Sequence, residues 1–432
     1  MRSKHPPFAS GLNRSPFLLY PYLISKEPGR PEGVHRPACD NFLYSERSST
    51  MNPQTQMNSN PLVRLAEFGQ SPWFDFISRD IIESGELARL VEADGLKGVT
   101  SNPAIFEKAV SSGTAYDDFI RENTPGSRDA VDLYEKLAVR DVQDAADILR
   151  GVYDATDGGD GFVSLEVSPH LAFDTEKTIA EARRLWQMVD RPNLMVKVPA
   201  TPEGVPAIEQ LIADGININV TLLFSQSAYR DVANAYVAGL KQRSDAGEDI
   251  GRVASVASFF VSRIDSLVDK QIEERLASAE GDDKARLESL RGKVAVANAK
   301  LAYQAYLEIF SGEEWESLAA KGAMPQRVLW ASTGTKNKDY SDVLYIDELI
   351  GPDTVNTIPP ATWDSFRDHG TVKQTLTEGV DEARETLAGL AAAGISLDAA
   401  TDQLLAEAVR LFVEPFDKMI TAVGEAMNEV NQ

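Results

Sequence analysis

Ile216-Asn217-Ile218-Asn219-Val220-Thr221 alternates without a fault: the aliphatic side chains fall on one side of an extended chain, and Asn217, Asn219 and Thr221 on the other. Val163-Ser164-Leu165-Glu166-Val167-Ser168 repeats the pattern and gathers Ser164, Glu166 and Ser168. Leu194-Met195-Val196-Lys197-Val198-Pro199 sets Met195 and Lys197 against Leu194, Val196 and Val198. A half-solvated sheet also alternates. The recurrence of the pattern, with a lone glutamate in one run and a lone lysine in another, points instead to strands whose polar sides share an enclosed interior.

Reading outward, eight β-prone runs stand apart: Trp73 to Ile77, Leu96 to Ser101, Phe162 to Val167, Leu194 to Val198, Ile216 to Leu222, Ala254 to Phe259, Val328 to Ser332 and Thr354 to Ile358. Helical patterns separate most of them; Ile179, Ala182, Leu185, Trp186 and Val189 make an apolar face over Thr175 to Val189. Eight strands alternating with helices predict an α/β fold, a TIM-type (β/α)8 barrel of the kind that takes about 250 residues, enlarged here by extra helices. The surplus falls in the helical region from Tyr116 to Tyr153, the charged stretch from Ile272 to Phe310 and a C-terminal helix around Leu404 to Met427. The rival, a doubly wound open sheet, wants a GxGxxG turn after its first strand, and the chain has none. In a barrel the aliphatic sets face the helices and the polar sets point inward. The inward set runs from Asp75, Thr100 and Asn102 through Glu166 and Lys197 to Asn219, Thr221, Ser258 and Ser332, near the C-terminal strand ends where such barrels build active sites.

The bulk composition bounds the function. The chain has 432 residues, 43% hydrophobic and 25% charged, enough for a large core. No stretch approaches the roughly eighteen uninterrupted apolar residues of a membrane span. A net charge of −23 argues against a nucleic-acid surface, which needs a basic footprint, but leaves room for a small anionic substrate held by a few local cations. One cysteine, Cys39, excludes an intramolecular disulfide and fits a cytoplasmic protein. Four scattered histidines without a Cys/His cluster give no zinc site, so no metal is expected.

The first fifty residues differ from the rest. They carry seven basic and four acidic side chains, a net of +3, which leaves −26 for the remainder. Rich in Ser, Pro and Arg and without amphipathic periodicity, residues 1–60 read as a disordered extension, a transit peptide or an early start with Met51 or Met57 as the true initiator. Residues 61–432 read as one barrel domain.

Lys197 is the one ammonium set in a short, strongly apolar β-prone run. Such a group either finds a partner or loses its proton, and a neutral amine attacks ketones to form a Schiff base. The iminium then serves as an electron sink for cleavage of a nearby C–C bond. One carboxylate removes the proton of the neighbouring hydroxyl and a second shuttles protons through a water; Asp75 and Glu166 are the candidates. The plain alternative for Lys197 is a structural ion pair with Glu166.

These residues lie in segments that, in order, resemble the signature segments of transaldolases. They are Thr100-Ser101-Asn102-Pro103, Ser164-Leu165-Glu166-Val167, Val196-Lys197-Val198-Pro199, Asn219-Val220-Thr221-Leu222-Leu223-Phe224-Ser225, Ser258-Phe259-Phe260-Val261-Ser262-Arg263 and Ala331-Ser332-Thr333-Gly334-Thr335-Lys336. The resemblance covers about residues 62 to 430 and implies an α/β barrel with no metal or organic cofactor. It implies transfer of a dihydroxyacetone unit from sedoheptulose 7-phosphate to glyceraldehyde 3-phosphate, in the non-oxidative pentose phosphate pathway. The expected partners are small sugar phosphates, for a monomer or homodimer. By the same resemblance Lys197 forms the Schiff base, Asp75 deprotonates the C4 hydroxyl and Glu166 works through a water positioned by Thr221. Asn102, Asn219 and Ser258 hold the dihydroxyacetone moiety, with Thr100 nearby and Phe260 as an apolar wall, while Arg263 binds the phosphate. A second cation commonly follows strand seven as an arginine; here the loop is longer and offers Lys336. Without the resemblance, Arg263 reads as a surface arginine opening a helix from Ile264 to Glu274 and pairing with Asp269. Two other readings stay open: a lysine-dependent aldolase that cleaves without transfer, and a non-catalytic sugar-phosphate binding protein.

Other features point nowhere. Asp157-Gly158-Gly159-Asp160-Gly161 lacks the glutamate that ends a calcium loop and reads as a turn. There is no GxSxG elbow. His170 follows the Glu166 strand and reads as a solvated loop residue without a partner.

Overall fold

A computed structural model of the protein describes residues 60–431 apart from 112 and 113. The extension expected over 1–60, with Cys39, Met51 and Met57, lies outside the described residues except for Asn60.

The eight strands are β1 (Gln70–Phe74), β2 (Gly98–Val99), β3 (Phe162–Glu166), β4 (Leu194–Pro199), β5 (Ile218–Leu223), β6 (Ser255–Phe260), β7 (Arg327–Ala331) and β8 (Thr354–Ile358). Each pairs in parallel with the next, and β8 returns to β1, closing the barrel. All eight expected runs are present. The first strand sits three residues earlier than its pattern suggests and contains Pro72. A proline lacks the ladder donor, but the Pro72 carbonyl still accepts from the Lys97 N–H at 2.9 Å, so the barrel tolerates it. Backbone bonds continue past the formal strand ends: Asp75 N–H to the Ile358 carbonyl and Thr100 N–H to the Phe74 carbonyl, both 2.9 Å. Those two bonds hold the first two candidate site residues rigidly on the ladder.

The helix expected over Thr175–Val189 occupies those residues. Asp174 accepts from the Lys177 N–H at its start, a polar N-cap, and Ala182, Leu185 and Val189 are buried against the barrel. The three surplus regions are helical. The first contains the helix Ala130–Ala155, capped by Asp129. The second takes in the last turn of the helix Ser262–Leu276 and the whole of Gly281–Leu290 and Val294–Ile309. The third is a C-terminal helix longer than expected, Leu397–Val430: Ser396 caps it at the Ala399 N–H, so it begins seven residues before the expected Leu404. Pro415 stands inside it and removes the N–H that would bond the Leu411 carbonyl. Among the described residues no helix is long and apolar enough to cross a membrane.

At the N-terminal end of the strands one buried aspartate ties the barrel together. Asp160, 5% exposed, accepts from the Trp73 indole at 2.8 Å and from the Ser71 hydroxyl, and lies 3.4 Å from the Arg327 guanidinium. Arg327 also donates to the Gly159 carbonyl at 2.9 Å. The glycine-rich segment Asp157 to Gly161 is therefore the turn it was read as, and it serves β1, β3 and β7. Gly98 is glycine because the Trp73 indole occupies the place a Cβ would take. Asp160→Ala leaves the indole N–H and the guanidinium without their buried acceptor, and is expected to destabilise the barrel by about 2–4 kcal/mol. A urea-denaturation midpoint equal to that of the wild type would refute this role.

Candidate active site

The C-terminal strand ends enclose a cavity of about 190 Å³. Nine of the eleven residues to which the family resemblance gives a role line it. Asp75 and Thr100 come from the ends of β1 and β2, Asn102 from the following turn, Lys197 from β4 and Thr221 from β5. Ser258 and Phe260 come from β6, Arg263 from the helix after it, and Lys336 from the loop after β7. Asn219 and Glu166 lie behind this wall.

Strand register sets the central group. Glu166 pairs with Lys197 across β3 and β4, and Lys197 with Asn219 across β4 and β5, so one rung presents all three side chains. Lys197, 5% exposed, donates from Nζ to the Ser101 carbonyl at 2.9 Å. Its distance to Glu166 Oε2 is 3.8 Å, longer than a hydrogen bond, and neither Glu166 oxygen accepts a hydrogen bond from a protein group. The ion pair with Glu166 is thus present but loose, without a hydrogen bond between the two groups. Burial pushes the Glu166 carboxyl up to about 7, with the charge of Asp75 adding and that of Lys197 opposing. Thr221 Oγ1 is likewise buried with no protein partner.

Asp75 is oriented by a hydroxyl relay. Thr100 Oγ1 donates to Asp75 Oδ1 at 2.6 Å, and Thr100 and Thr357 hydroxyls are 2.6 Å apart. Thr100 has one proton, so with that proton on Asp75 it is Thr357 that donates to Thr100. Burial raises the Asp75 carboxyl above the ordinary range, opposed by the Thr100 bond and by Lys197, Arg263 and Lys336. Asn102 uses Oδ1 to cap the next helix at the Ile105 N–H, leaving its Nδ2 as the group available to the cavity. Asn219 joins the rung to β6 and β3: it accepts from Ser258 Oγ at 2.7 Å and donates to Ser164 Oγ at 2.9 Å.

Arg263 is not the surface residue its surroundings in sequence suggest. Asp269 is taken by the Tyr340 hydroxyl and the Gly292 N–H, while Arg263 lies 5.2 Å over the Phe260 ring with a buried Nη1 that no protein group accepts from. Burial lowers its pKa, and Asp75 offsets this. Lys336 is exposed on the same rim. Two non-glycine residues at this end of the barrel hold positive φ, Leu222 at 65° and Ser332 at 56°, and Leu222 accompanies a register shift between Val220 and Leu223. Backbone strain of this kind gathers where side chains must be aimed.

Thr357 and Phe412 escaped the sequence reading. Thr354-Val355-Asn356-Thr357-Ile358 carries a polar residue on both alternating sets, so periodicity does not single out Thr357. Phe412 comes from the C-terminal helix, with its ring centroid 6.0 Å from Lys197 Nζ, and in sequence it is one more apolar position of that helix. His170 also differs: its Nε2 lies 2.7 Å from Asp417 Oδ1, so it has a partner, though it is exposed as expected. Among the described residues no group of three or more His, Cys, Asp or Glu is placed to hold a metal ion.

The family model described as Transaldolase/Fructose-6-phosphate aldolase matches residues 72–423, a span containing every one of these side chains. The chain belongs to this family. A transaldolase of Trichodesmium erythraeum is 47% identical over 377 residues, covering 87% of this chain and 99% of that protein. Transaldolase 2 of a Nostoc species is 49% identical over 371 residues, 85% and 97% of the two chains. The transaldolase of Saccharopolyspora erythraea is 48% identical over 373 residues, covering 86% and 99%. The transaldolase-family barrel thus accounts for the described domain.

The raised Glu166 carboxyl has a measurable consequence. The folded protein holds this proton more tightly than the unfolded chain does, so wild-type stability falls as pH rises from the ordinary glutamate value of 4.5 to about 7. Glu166→Gln lacks that dependence, and the stability of the wild type relative to the variant is expected to drop by about 1–3 kcal/mol across the window. Chemical denaturation of both proteins between pH 5 and 8 reads it directly; parallel pH profiles would contradict the assignment.

Proposed function

We propose that the protein is a transaldolase that works through a Schiff base on Lys197. The observation that carries this reading is one lysine flanked by two carboxyls in unlike settings, Asp75 on a hydroxyl relay and Glu166 buried with its oxygens free. Lys197 attacks the ketone of a ketose phosphate, and Glu166, with a carboxyl near neutrality, protonates the departing hydroxyl as a general acid. Thr221, facing the same space with an unused hydroxyl, positions the water formed. Asp75 then takes the proton of the C4 hydroxyl, the C3–C4 bond breaks, and its electrons enter the iminium to give an enamine. Asn102 and Ser258 hold the three-carbon unit, with Asn219 orienting Ser258 from behind, while the aldehyde product leaves and an acceptor aldehyde enters. Condensation and hydrolysis reverse these steps and restore the free amine.

Arg263 and Lys336 form the phosphate end, with Phe260 as the wall beneath the guanidinium. Two cations on the rim offset the field of a chain of net charge −23 where a dianion must approach. The substrate pair that fits is sedoheptulose 7-phosphate and glyceraldehyde 3-phosphate, giving erythrose 4-phosphate and fructose 6-phosphate in the non-oxidative pentose phosphate pathway, in the cytoplasm.

Borohydride reduction in the presence of fructose 6-phosphate is expected to leave a reduced dihydroxyacetone adduct on the Lys197 peptide, seen by mass mapping. Lys197→Ala should lose the adduct and at least about a thousandfold in kcat/KM. A variant that keeps turnover would refute the mechanism, and cleavage that proceeds equally well without an aldehyde acceptor would make the protein an aldolase instead. Arg263→Ala and Lys336→Ala are expected to raise KM about tenfold or more for glyceraldehyde 3-phosphate while changing that for unphosphorylated glyceraldehyde little. Equal effects on both acceptors would remove these residues from the phosphate site.

A further inference from the structure

Glu166 faces away from the mouth as well as toward Lys197. Two further cavities reach it from behind. The smaller, about 10 Å³, is bounded by Glu166, Ser101, Asn102 and Tyr134 and has room for about one water. The larger, about 330 Å³, opens between the helices Ala130–Ala155 and Thr175–Val189, the turn Pro169–Leu171 and the C-terminal helix. Glu166, Leu165, Tyr134 and Phe416 line both, so they form the junction. The outer rim is charged: Arg184 bridges Glu135 and Glu181, and His170 pairs with Asp417.

At the junction the Tyr134 and Phe416 rings meet edge to face with centroids 5.7 Å apart. They are 8% and 9% exposed. Phe416 follows Pro415, whose missing N–H frees one helix bond at this point, and it lies one turn from Phe412, which walls the mouth. On one face of the C-terminal helix, one turn apart, Phe412 therefore lines the substrate cavity and Phe416 the two rear cavities.

The chemistry proposed above moves water twice per transfer, one molecule released as the imine forms and one consumed as it is hydrolysed. Both steps occur with a sugar phosphate spanning the mouth from Lys197 to Arg263 and Lys336. Resting on that reading, we propose that the rear cavity is a solvent passage to Glu166, gated by Phe416 against Tyr134, and that this gate sets how often the bound three-carbon unit is lost to water instead of being transferred. In the loss step Asp75 returns its proton to C3 of the enamine, giving the dihydroxyacetone iminium. Glu166, ionised since it protonated the departing hydroxyl, takes one proton of a water whose oxygen adds to C2 and passes that proton to Nζ; the C2–Nζ bond then breaks with its electron pair going to nitrogen, while the new C2 hydroxyl returns its proton to Glu166 and closes to the carbonyl, so that free dihydroxyacetone and the neutral amine remain. Fructose 6-phosphate is thereby split into dihydroxyacetone and glyceraldehyde 3-phosphate with no other reactant. Phe416 is a positioning residue here, touching neither substrate nor the reacting atoms.

The test is the ratio of dihydroxyacetone release from fructose 6-phosphate alone to transfer onto erythrose 4-phosphate. Phe416→Ala is expected to raise this ratio about tenfold, and Phe416→Met to restore it to within about threefold of wild type. Leu185→Phe, which fills the outer cavity from the far helix, should lower it about threefold and decides the matter if the alanine variant does not fold. An unchanged ratio in folded variants that still form the borohydride-reducible Lys197 adduct overturns the gate. Lack of that adduct in the wild-type protein instead strikes the Schiff-base reading on which the gate rests.

Discussion

Three ionisable groups held out of water in one barrel mouth are the constraint on which the rest of the structure depends. Desolvating an ion costs several kcal/mol even after relaxation, and the attraction between Lys197 and Glu166 at 3.8 Å offsets only part of this. The barrel meets the remainder through rigidity: β3, β4 and β5 set Glu166, Lys197 and Asn219 on one rung, whose backbone positions cannot shift without breaking the ladder. What is left unmet appears as a carboxyl that keeps its proton to near neutrality, which is the property a proton-handling group requires.

The two carboxyls differ because their hydrogen bonds differ. Asp75 accepts a hydrogen bond from the Thr100 hydroxyl and is flanked by three cations, whereas Glu166 has no protein donor and feels a neighbouring carboxylate. Both are raised by burial, but the relay and the rim cations pull Asp75 back toward its charged form. One site thus supplies a base at the cleaved bond and an acid–base group at the imine without any further device.

At the opposite end of the barrel Asp160 shows the same physics put to structural use. It too is a buried carboxylate, yet its partners are complete: an indole, a hydroxyl and a guanidinium. A satisfied buried charge locks strands together, and an unsatisfied one waits for water or substrate. The contrast between Asp160 and Glu166 separates scaffold from chemistry within one fold.

β-prone runs between helical patterns placed the eight strands and put Asp75, Thr100 and Ser258 at strand ends. Period-two alternation in three of the runs sorted Lys197, Glu166, Asn219 and Thr221 to one side, because side-chain direction along a strand is a local property of the backbone. Arg263 was legible only through its resemblance to a family segment, since nothing in the helix around it distinguishes a cavity-facing arginine from one paired with Asp269. Thr357, Phe412 and the two faces of Glu166 were decided by tertiary structure. The Thr100–Thr357 contact exists because β8 closes on β1, and Phe412 reaches Lys197 because the C-terminal helix crosses the barrel more than two hundred residues downstream. Such contacts depend on how elements pack, and packing between distant segments leaves no period in the chain to read.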